Sequence, residues 1–171
     1  MTGMKIAEAV SQLTWVQPDS QQREYHLVAS DQKIASVSWT KEGGTLADAI
    51  SEDGRWSFKR GGFLHPRITA RKDGSDAAVF EPGMSGNGVV HLTSGHIFRW
   101  SSNLWRGEWS WVNAAGKAGI KIRREFSMDT RQGRVEIVQD AIPRLEVPLL
   151  VLFGWYIVIL LSEDGALISD R

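Results

Sequence analysis

The sequence contains no cysteine among its 171 residues. Disulfide bonds, thiolate nucleophiles and cysteine-based zinc sites are therefore excluded as a basis for its fold or chemistry. It also has no excess of charge, because 20 Lys and Arg residues balance 20 Asp and Glu residues. A neutral chain has no general attraction for nucleic acid or acidic membranes. We expect no nucleic-acid partner, and binding of any anionic ligand requires a local basic cluster.

The opening residues, MTGMKIAEAV, contain no apolar stretch long enough for a signal peptide, which predicts a cytoplasmic location. They favour at most a frayed helical turn, and we assign no function to residues 1–10. The remaining sequence shows no low-complexity linker and no repeat beyond a succession of hairpins. We therefore expect one domain over residues 1–171, large enough to form its own core.

One long uncharged apolar run is present, at residues 147–161, VPLLVLFGWYIVILL. Pro148 suits the first turn of a helix, and the polar residues 162–165 favour its end, with Gly165 as a left-handed cap. The pattern predicts a helix over about 146–161. Its apolar side chains fall on every side of the helical wheel, which is typical of a buried core helix or a membrane span.

The length of this run favours a helix enclosed by protein. Residues 147–161 would extend roughly 22 Å at about 1.5 Å per residue, whereas a hydrocarbon core is about 30 Å thick. Extending the helix upstream would bury Arg144 and Glu146. The alternative is a tail-anchored membrane protein, with a cytoplasmic β domain and a transmembrane helix near 147–161.

Short stretches that alternate apolar and polar residues precede this run, separated by turn residues. Asp53-Gly54 and Asp73-Gly74 are typical of tight hairpin turns. Trp109 and Trp111 share one strand face, and we expect the tryptophans to lie inward. The pattern predicts strands near residues 13–16, 25–29, 34–40, 46–50, 55–59, 67–72, 77–81, 89–93, 96–100, 108–112, 119–123 and 134–138.

Many short strands and one apolar helix predict a mainly β fold with a single helix, β+α. A sandwich has no place for a helix that is apolar all round, whereas a closed barrel has an interior that can hold it. Closure also removes exposed strand edges. We therefore expect a closed antiparallel barrel of about twelve short strands around one C-terminal hydrophobic helix, at about 146–161.

This arrangement resembles the tubby C-terminal-like superfamily, which includes tubby domains, phospholipid scramblases and the plant LURP-one-related proteins. The segments that carry the resemblance are 25–39, 53–56, 63–71 and, above all, 147–161. It implies a barrel of about twelve strands that wraps a central hydrophobic helix. The chain lacks the cysteine-rich palmitoylation segment of scramblases and an acidic calcium loop, so the resemblance implies the fold rather than lipid scrambling.

Tubby domains bind phosphoinositides through basic side chains outside the barrel, but their positions do not align with this chain and none is carried over. From the residues themselves, Lys59, Arg60, Arg67 and Arg71 are candidates for binding a lipid headgroup. Strand alternation places Arg67 and Arg71 on one face, where they could bind a phosphate through charge-assisted hydrogen bonds. The alternative is a solvated outer strand face.

A second basic stretch comprises Lys117, Lys121, Arg123 and Arg124, and its simpler interpretation is again a solvated face.

Other motifs indicate no chemistry. The glycine-rich segment 83–88 lacks a P-loop ending and favours a plain loop. His91 and His96 flank a turn without further ligands at a fixed spacing, so we expect no metal. No catalytic residue or cofactor is predicted. We expect a non-enzymatic, cytoplasmic binding module for anionic phospholipid, phosphoinositide or a protein partner, with membrane association left open by the tail-anchored alternative.

Overall fold

A computed structural model of the chain describes residues 3–9, 12–127 and 130–169, with side chains described as far as Gly165. These ranges contain twelve β-strands, one α-helix, and 3-10 turns at Ile6–Glu8, Met84–Gly86 and Arg144–Glu146. The elements are β1 Leu13–Val16, β2 Glu24–Ala29, β3 Gln32–Trp39, β4 Ala47–Ser51, β5 Gly54–Gly61, β6 Arg67–Lys72, β7 Ser75–Pro82, β8 Gly88–Leu92, β9 Ile97–Asn103, β10 Glu108–Val112, β11 Ala118–Arg124, β12 Gly133–Ile137 and α1 Val147–Ser169.

The twelve strands form one closed antiparallel barrel in which neighbours in the chain are also neighbours in space. The ring closes between β1 and β12, with Leu13 opposite Val135 and Trp15 opposite Gly133. Every predicted strand is present, with bounds that differ from the prediction by at most three residues. The predicted closed barrel is confirmed.

Alternation along each strand decides which side chains form the core. In β5, Trp56 and Phe58 are buried, whereas Arg55 and Lys59 on either side of them are exposed. The same alternation buries the tryptophans of β10 on the inner face. The inward residues of the strands therefore line the barrel, and its centre is left for α1.

The helix α1 runs through the barrel, as predicted. Every hydrophobic residue from Leu150 to Ile159 has 0% of its surface exposed. By length and composition Arg144–Gly165 could cross a bilayer, but most of it is buried inside the protein. The predicted end of the helix, at about residue 161 with Gly165 as a left-handed cap, is wrong, because α1 continues to Ser169.

The helix continues past its apolar run because its polar residues have partners. The Ser162 hydroxyl donates to the carbonyl oxygen of Val158, one turn earlier in the helix, at 2.6 Å. Glu163 and Asp164 then form ion pairs with arginines of the barrel. Glu163 and Asp164 therefore hold the helix to the barrel wall instead of ending it.

Aromatic rings fix the rotation of α1 inside the barrel. Trp155 stacks on Trp15, with ring centroids 5.5 Å apart and planes 6° apart. One residue further, Tyr156 stacks on Trp39 at 5.2 Å and 10°. Stacked aromatic pairs stabilise a fold beyond the burial of their apolar area, and they favour particular ring geometries. The consecutive side chains thus contact strands in different parts of the wall.

Gly154 allows the helix and the barrel wall to approach each other closely. The indole N–H of Trp111 donates to the carbonyl oxygen of Leu150, at 2.8 Å. A Cβ atom at Gly154 would lie 3.0 Å from that indole nitrogen and 2.8 Å from the Cδ1 atom of Ile122. The absence of a side chain at Gly154 therefore lets a tryptophan reach the helix backbone.

Alternate strand connections lie at the same end of an antiparallel barrel. We call the end where α1 begins the helix-entry end, and the opposite end the helix-exit end. The helix-exit end carries the connections 17–23, 40–46, 62–66, 83–87, 104–107 and 125–132.

The helix-entry end is covered by the N-terminal segment. Ile6 is fully buried there, and its backbone N–H donates to the carboxylate of Asp53 at 2.8 Å. The expectation of a frayed turn is wrong for residues 3–9, because an apolar side chain secures the segment to the core. Residues 1, 2 and 10 of the predicted turn lie outside the described residues.

Candidate functional site

Three of the four predicted headgroup-binding residues share one outer surface, formed by β5 and β6. Lys59 lies opposite Thr69 in the strand register, and Arg67 and Arg71 lie two residues to either side of Thr69. All three are exposed, because the residues between the two arginines alternate between the core and the surface. We call Lys59, Arg67 and Arg71 the cationic face.

The fourth predicted residue, Arg60, does not belong to this surface. It lies opposite Ile68, a buried position, so its side chain leaves β5 on the inner side at the helix-exit end. Its guanidinium donates to both carboxylate oxygens of Asp164 in α1, at 2.6 and 3.3 Å. A bidentate pair fixes both partners in position. Arg60 therefore joins the barrel to the helix.

Carboxylates lie beside the two arginines of the cationic face. A guanidinium nitrogen of Arg67 lies 3.6 Å from a carboxylate oxygen of Glu81, and one of Arg71 lies 3.2 Å from Asp76. All four side chains of these pairs are exposed. Lys59 has no ion-pair partner among the described residues. The face therefore carries three cations beside two carboxylates that solvent screens.

A second ion pair links α1 to the barrel at the helix-exit end. Arg23 contacts Glu163 of α1 at 2.9 Å, and its guanidinium lies over the ring of Trp39, 5.0 Å from the centroid. Nearby, the Tyr156 hydroxyl donates to the carbonyl oxygen of Thr45. Burial raises the pKa of Tyr156 above its ordinary value. These polar contacts connect α1 to the connections around it.

The second basic stretch does not form one cluster. Arg123 is paired with Glu108 at 3.4 Å. The guanidinium of Arg124 lies over the ring of Phe126, 5.5 Å from its centroid. The remaining two lysines, Lys117 and Lys121, are exposed and have no ion-pair partner in the described part of the chain.

The histidines and the glycine-rich segment have plain structural roles. His91 lies opposite Ile97, so the two histidines of this hairpin are not directly paired. Within residues 3–9, 12–127 and 130–169, no group of three or more His, Asp or Glu residues could hold a metal ion. The connection 83–87 is a loop with one 3-10 turn, and a strand follows it, as the glycine pattern predicts.

Sequence reasoning missed a group of apolar side chains at the helix-exit end. We call this group the apolar rim; its members are Phe63, Leu64, Met84, Leu104 and Trp105. Each lies in a glycine-containing connection between two strands, where no strand face is available to bury it. Their position in these connections is the sequence signal that indicates exposure. Trp105 also makes the prediction of inward tryptophans wrong at one position, because its side chain is fully exposed.

Two cavities open elsewhere on the surface. One of about 970 Å³ is bordered by residues of β11 and β12 and by the chain segments 7–9 and 138–144. The other, of about 450 Å³, lies at the helix-exit end between the connections 17–23 and 125–132. Neither cavity is lined by a residue of the cationic face or the apolar rim.

Comparison with known proteins adds no assignment, because no family model, curated protein or solved structure matches the chain. The resemblance to the tubby-like superfamily therefore stays a prediction.

Proposed function

We propose that the protein is a non-enzymatic binding module whose cationic face binds the headgroups of anionic phospholipids. The observation that carries this proposal is the placement of Lys59, Arg67 and Arg71 on one exposed strand surface. A phosphate beside this surface can accept charge-assisted hydrogen bonds from more than one cation at once. Tubby-like proteins with a basic outer surface would act in the same way.

The carboxylates beside this face weaken headgroup binding without preventing it. The pairs Arg67–Glu81 and Arg71–Asp76 are exposed on both sides. Exposed ion pairs contribute about 0–1 kcal/mol each. A phosphate that contacts two cations can therefore compete with the two carboxylates. Lys59 lies between the arginines, without a partner among the described residues, and supplies the unpaired charge.

The interior of the barrel supports the non-enzymatic part of the proposal. No charged side chain of the described residues is buried, and the space inside the strands is filled by α1 and apolar side chains. Acid–base catalysis needs titratable groups that are positioned around a substrate. The charged side chains of the described residues instead lie on the outer surface or pair α1 with the barrel wall.

Enclosure of the helix supports a binding module over the tail-anchored alternative. To span a bilayer, α1 would have to leave the barrel and break the ion pairs Arg23–Glu163 and Arg60–Asp164. The strands would then expose the apolar side chains that now contact the helix. That exposure is unfavourable because apolar burial is the main stabilising contribution to a fold.

The proposal is tested by sedimentation with sucrose-loaded vesicles of phosphatidylcholine, with and without phosphatidylserine or a phosphoinositide. We expect binding only to the anionic vesicles, with a loss of affinity as salt is raised. Each basic residue near an anionic surface contributes about 1 kcal/mol, so Arg67→Glu with Arg71→Glu should weaken binding about thirtyfold or more. Circular dichroism should remain unchanged.

The matched control is Lys117→Glu with Lys121→Glu, which changes the net charge equally on another part of the barrel. It should leave most of the affinity in place. Equal losses in both double variants would show that only net charge matters, and no loss in the arginine variant would exclude this site. Absence of any binding by the unaltered protein would contradict the lipid proposal itself.

A further inference from the structure

The apolar rim is concentrated on one part of the molecule. Its side chains have exposed fractions of 98% for Phe63, 80% for Leu64, 89% for Met84, 63% for Leu104 and 100% for Trp105. Single exposed apolar residues are ordinary on protein surfaces, but a cluster of large ones marks an interaction site. These five belong to three successive connections at the helix-exit end.

Strand order places the three connections side by side. They join β5 to β6, β7 to β8 and β9 to β10, which are consecutive strands of the barrel. Successive connections at one end are therefore about 10 Å apart, twice the usual strand spacing. The side chain of Asn87 accepts a hydrogen bond from the Ser102 backbone N–H at 3.1 Å, which holds the second connection against the third strand pair.

The connection 62–66 turns tightly enough to direct its apolar pair outward. Gly62 has φ of 89°, a value that side-chain-bearing residues rarely adopt. A Cβ atom there would lie 2.6 Å from the backbone oxygen of His65. The two ends of the connection thus approach closely, and Phe63 and Leu64 project from its tip.

Charge divides the helix-exit end into two halves. The connections 62–66, 83–87 and 104–107 contain no Asp or Glu, and Arg106 lies next to Trp105. Lys59 and Arg67 of the cationic face lie on the two strands that flank the connection 62–66, four residues before Phe63 and three residues after Leu64. The other three connections at this end each contain a carboxylate, at Asp19, Glu42 and Glu125 among others.

We propose that the apolar rim inserts into the interfacial layer of an anionic phospholipid bilayer. This inference rests on the proposed lipid-binding function and adds the way in which the protein is oriented on the membrane. Aromatic side chains, tryptophan above all, favour the boundary between headgroups and acyl chains. The cations behind the tips would then lie at the level of the phosphates, which matches the charge of such a surface.

A bilayer fits this surface better than a protein partner does. Protein interfaces place their anchors in well-packed pockets, whereas the rim consists of separate tips, and neither cavity described above reaches them. A fluid layer can surround each tip without a matching shape. The acid-free composition of the three connections also suits a negatively charged surface rather than a basic one.

Tryptophan fluorescence can report on the rim alone. Of the eight tryptophans, Trp105 is fully exposed, whereas the other seven are buried; these are Trp15, Trp39, Trp56, Trp100, Trp109, Trp111 and Trp155. With anionic vesicles, we expect a blue shift of the exposed component, protection from acrylamide and quenching by brominated lipid. Trp105→Phe should remove these changes and retain binding, because Phe also inserts.

A second variant separates insertion from electrostatic contact. Phe63→Ser with Leu104→Ser should weaken vesicle binding about tenfold, since less apolar area enters the interface. The matched control is Leu145→Ser, because Leu145 is 93% exposed at the helix-entry end. It should bind like the unaltered protein.

The outcomes distinguish this inference from the proposed function. Binding that depends on Arg67 and Arg71 but leaves Trp105 accessible to acrylamide would overturn insertion of the rim and leave the cationic face intact. Protection of Trp105 without any effect of the arginine variant would support the rim and exclude the cationic face. A blue shift that depends on protein concentration without vesicles would show that a second copy of the chain covers the rim, and would overturn the proposal.

Discussion

Both tyrosine hydroxyls of the chain lie where water is scarce. Tyr25 and Tyr156 have 1% and 0% of their surface exposed. Burial raises the pKa of each phenol above its ordinary value, and it outweighs the opposing effects of Arg131 near Tyr25 and Arg60 near Tyr156. The neutral phenol is therefore the form that the folded barrel favours.

We expect these two tyrosines to lower the free energy of unfolding with rising pH only above pH about 10, the ordinary pKa of tyrosine. There the unfolded chain loses the phenolic protons and the folded chain retains them, so the free energy of unfolding decreases as pH increases. Below that pH both states hold the protons, and these groups contribute no pH dependence. Absorbance at 295 nm and urea unfolding between pH 8 and 11 measure the two effects.

The chain offers a direct control, because it has only two tyrosines. Tyr156→Phe should reduce the pH dependence above pH about 10 and cost about 1 kcal/mol through the lost hydrogen bond to Thr45. Formation of tyrosinate near pH 10, in protein that keeps its native near-ultraviolet circular dichroism, would contradict the burial of these groups.

At the scale of elements, the strands were predictable because their signals are local. Asp53-Gly54 and Asp73-Gly74 fix hairpin turns, and alternation of inward aromatic residues fixes the strands between them. The C-terminal end of α1 was not predictable in this way. The polar residues after Leu161 favour a stop, and only their pairing with Arg23 and Arg60, distant in sequence, explains why the helix continues.

The candidate site was predictable in part because strand alternation is also a local signal. Alternation correctly places Arg67 and Arg71 on the outer face. It also places Arg60 on the side opposite to Lys59, so grouping these two neighbours overlooked the strand period. Trp105 was missed because size and hydrophobicity indicate a core residue, whereas its position in a strand connection leaves it exposed.

Two glycines of α1 should respond in opposite ways to the same substitution. Alanine is favoured over glycine in a helix by about 1 kcal/mol. At Gly165 nothing lies within 4 Å of the added Cβ, so Gly165→Ala should be neutral or slightly stabilising. At Gly154 the Cβ would contact Ile122 and Trp111 at 2.8 and 3.0 Å.

Overpacking a core typically costs about 1–3 kcal/mol, which exceeds the gain in helix propensity. Gly154→Ala should therefore destabilise the protein by up to about 2 kcal/mol in urea unfolding. The indole of Trp111 cannot move away freely, because it is hydrogen-bonded to Leu150. An increase in stability equal to that of Gly165→Ala would show that the wall yields at this point and that Gly154 is not required by packing.

For the whole molecule, the enclosure of α1 determines which mode of membrane association we expect, peripheral or spanning. The same apolar residues would serve either as the centre of the barrel or as a membrane span, and they cannot do both at once. In the structure they form the centre, and the two surfaces that we propose for lipid binding, the cationic face and the apolar rim, lie outside it. The expected association with lipid is therefore peripheral.

Peripheral and spanning proteins differ in how they leave membranes. The expressed protein, fractionated without detergent, should be found in the soluble fraction or bound to membranes. Any membrane-bound protein should be released by an alkaline carbonate wash. Release is expected because insertion of exposed tips reaches only about 5–10 Å into the interface, whereas a spanning helix is held by the whole hydrocarbon core. The double variant Phe63→Ser with Leu104→Ser should shift the protein further towards the soluble fraction. Protein that resists carbonate would show that α1 has left the barrel, and the strands would then have lost the helix around which they close.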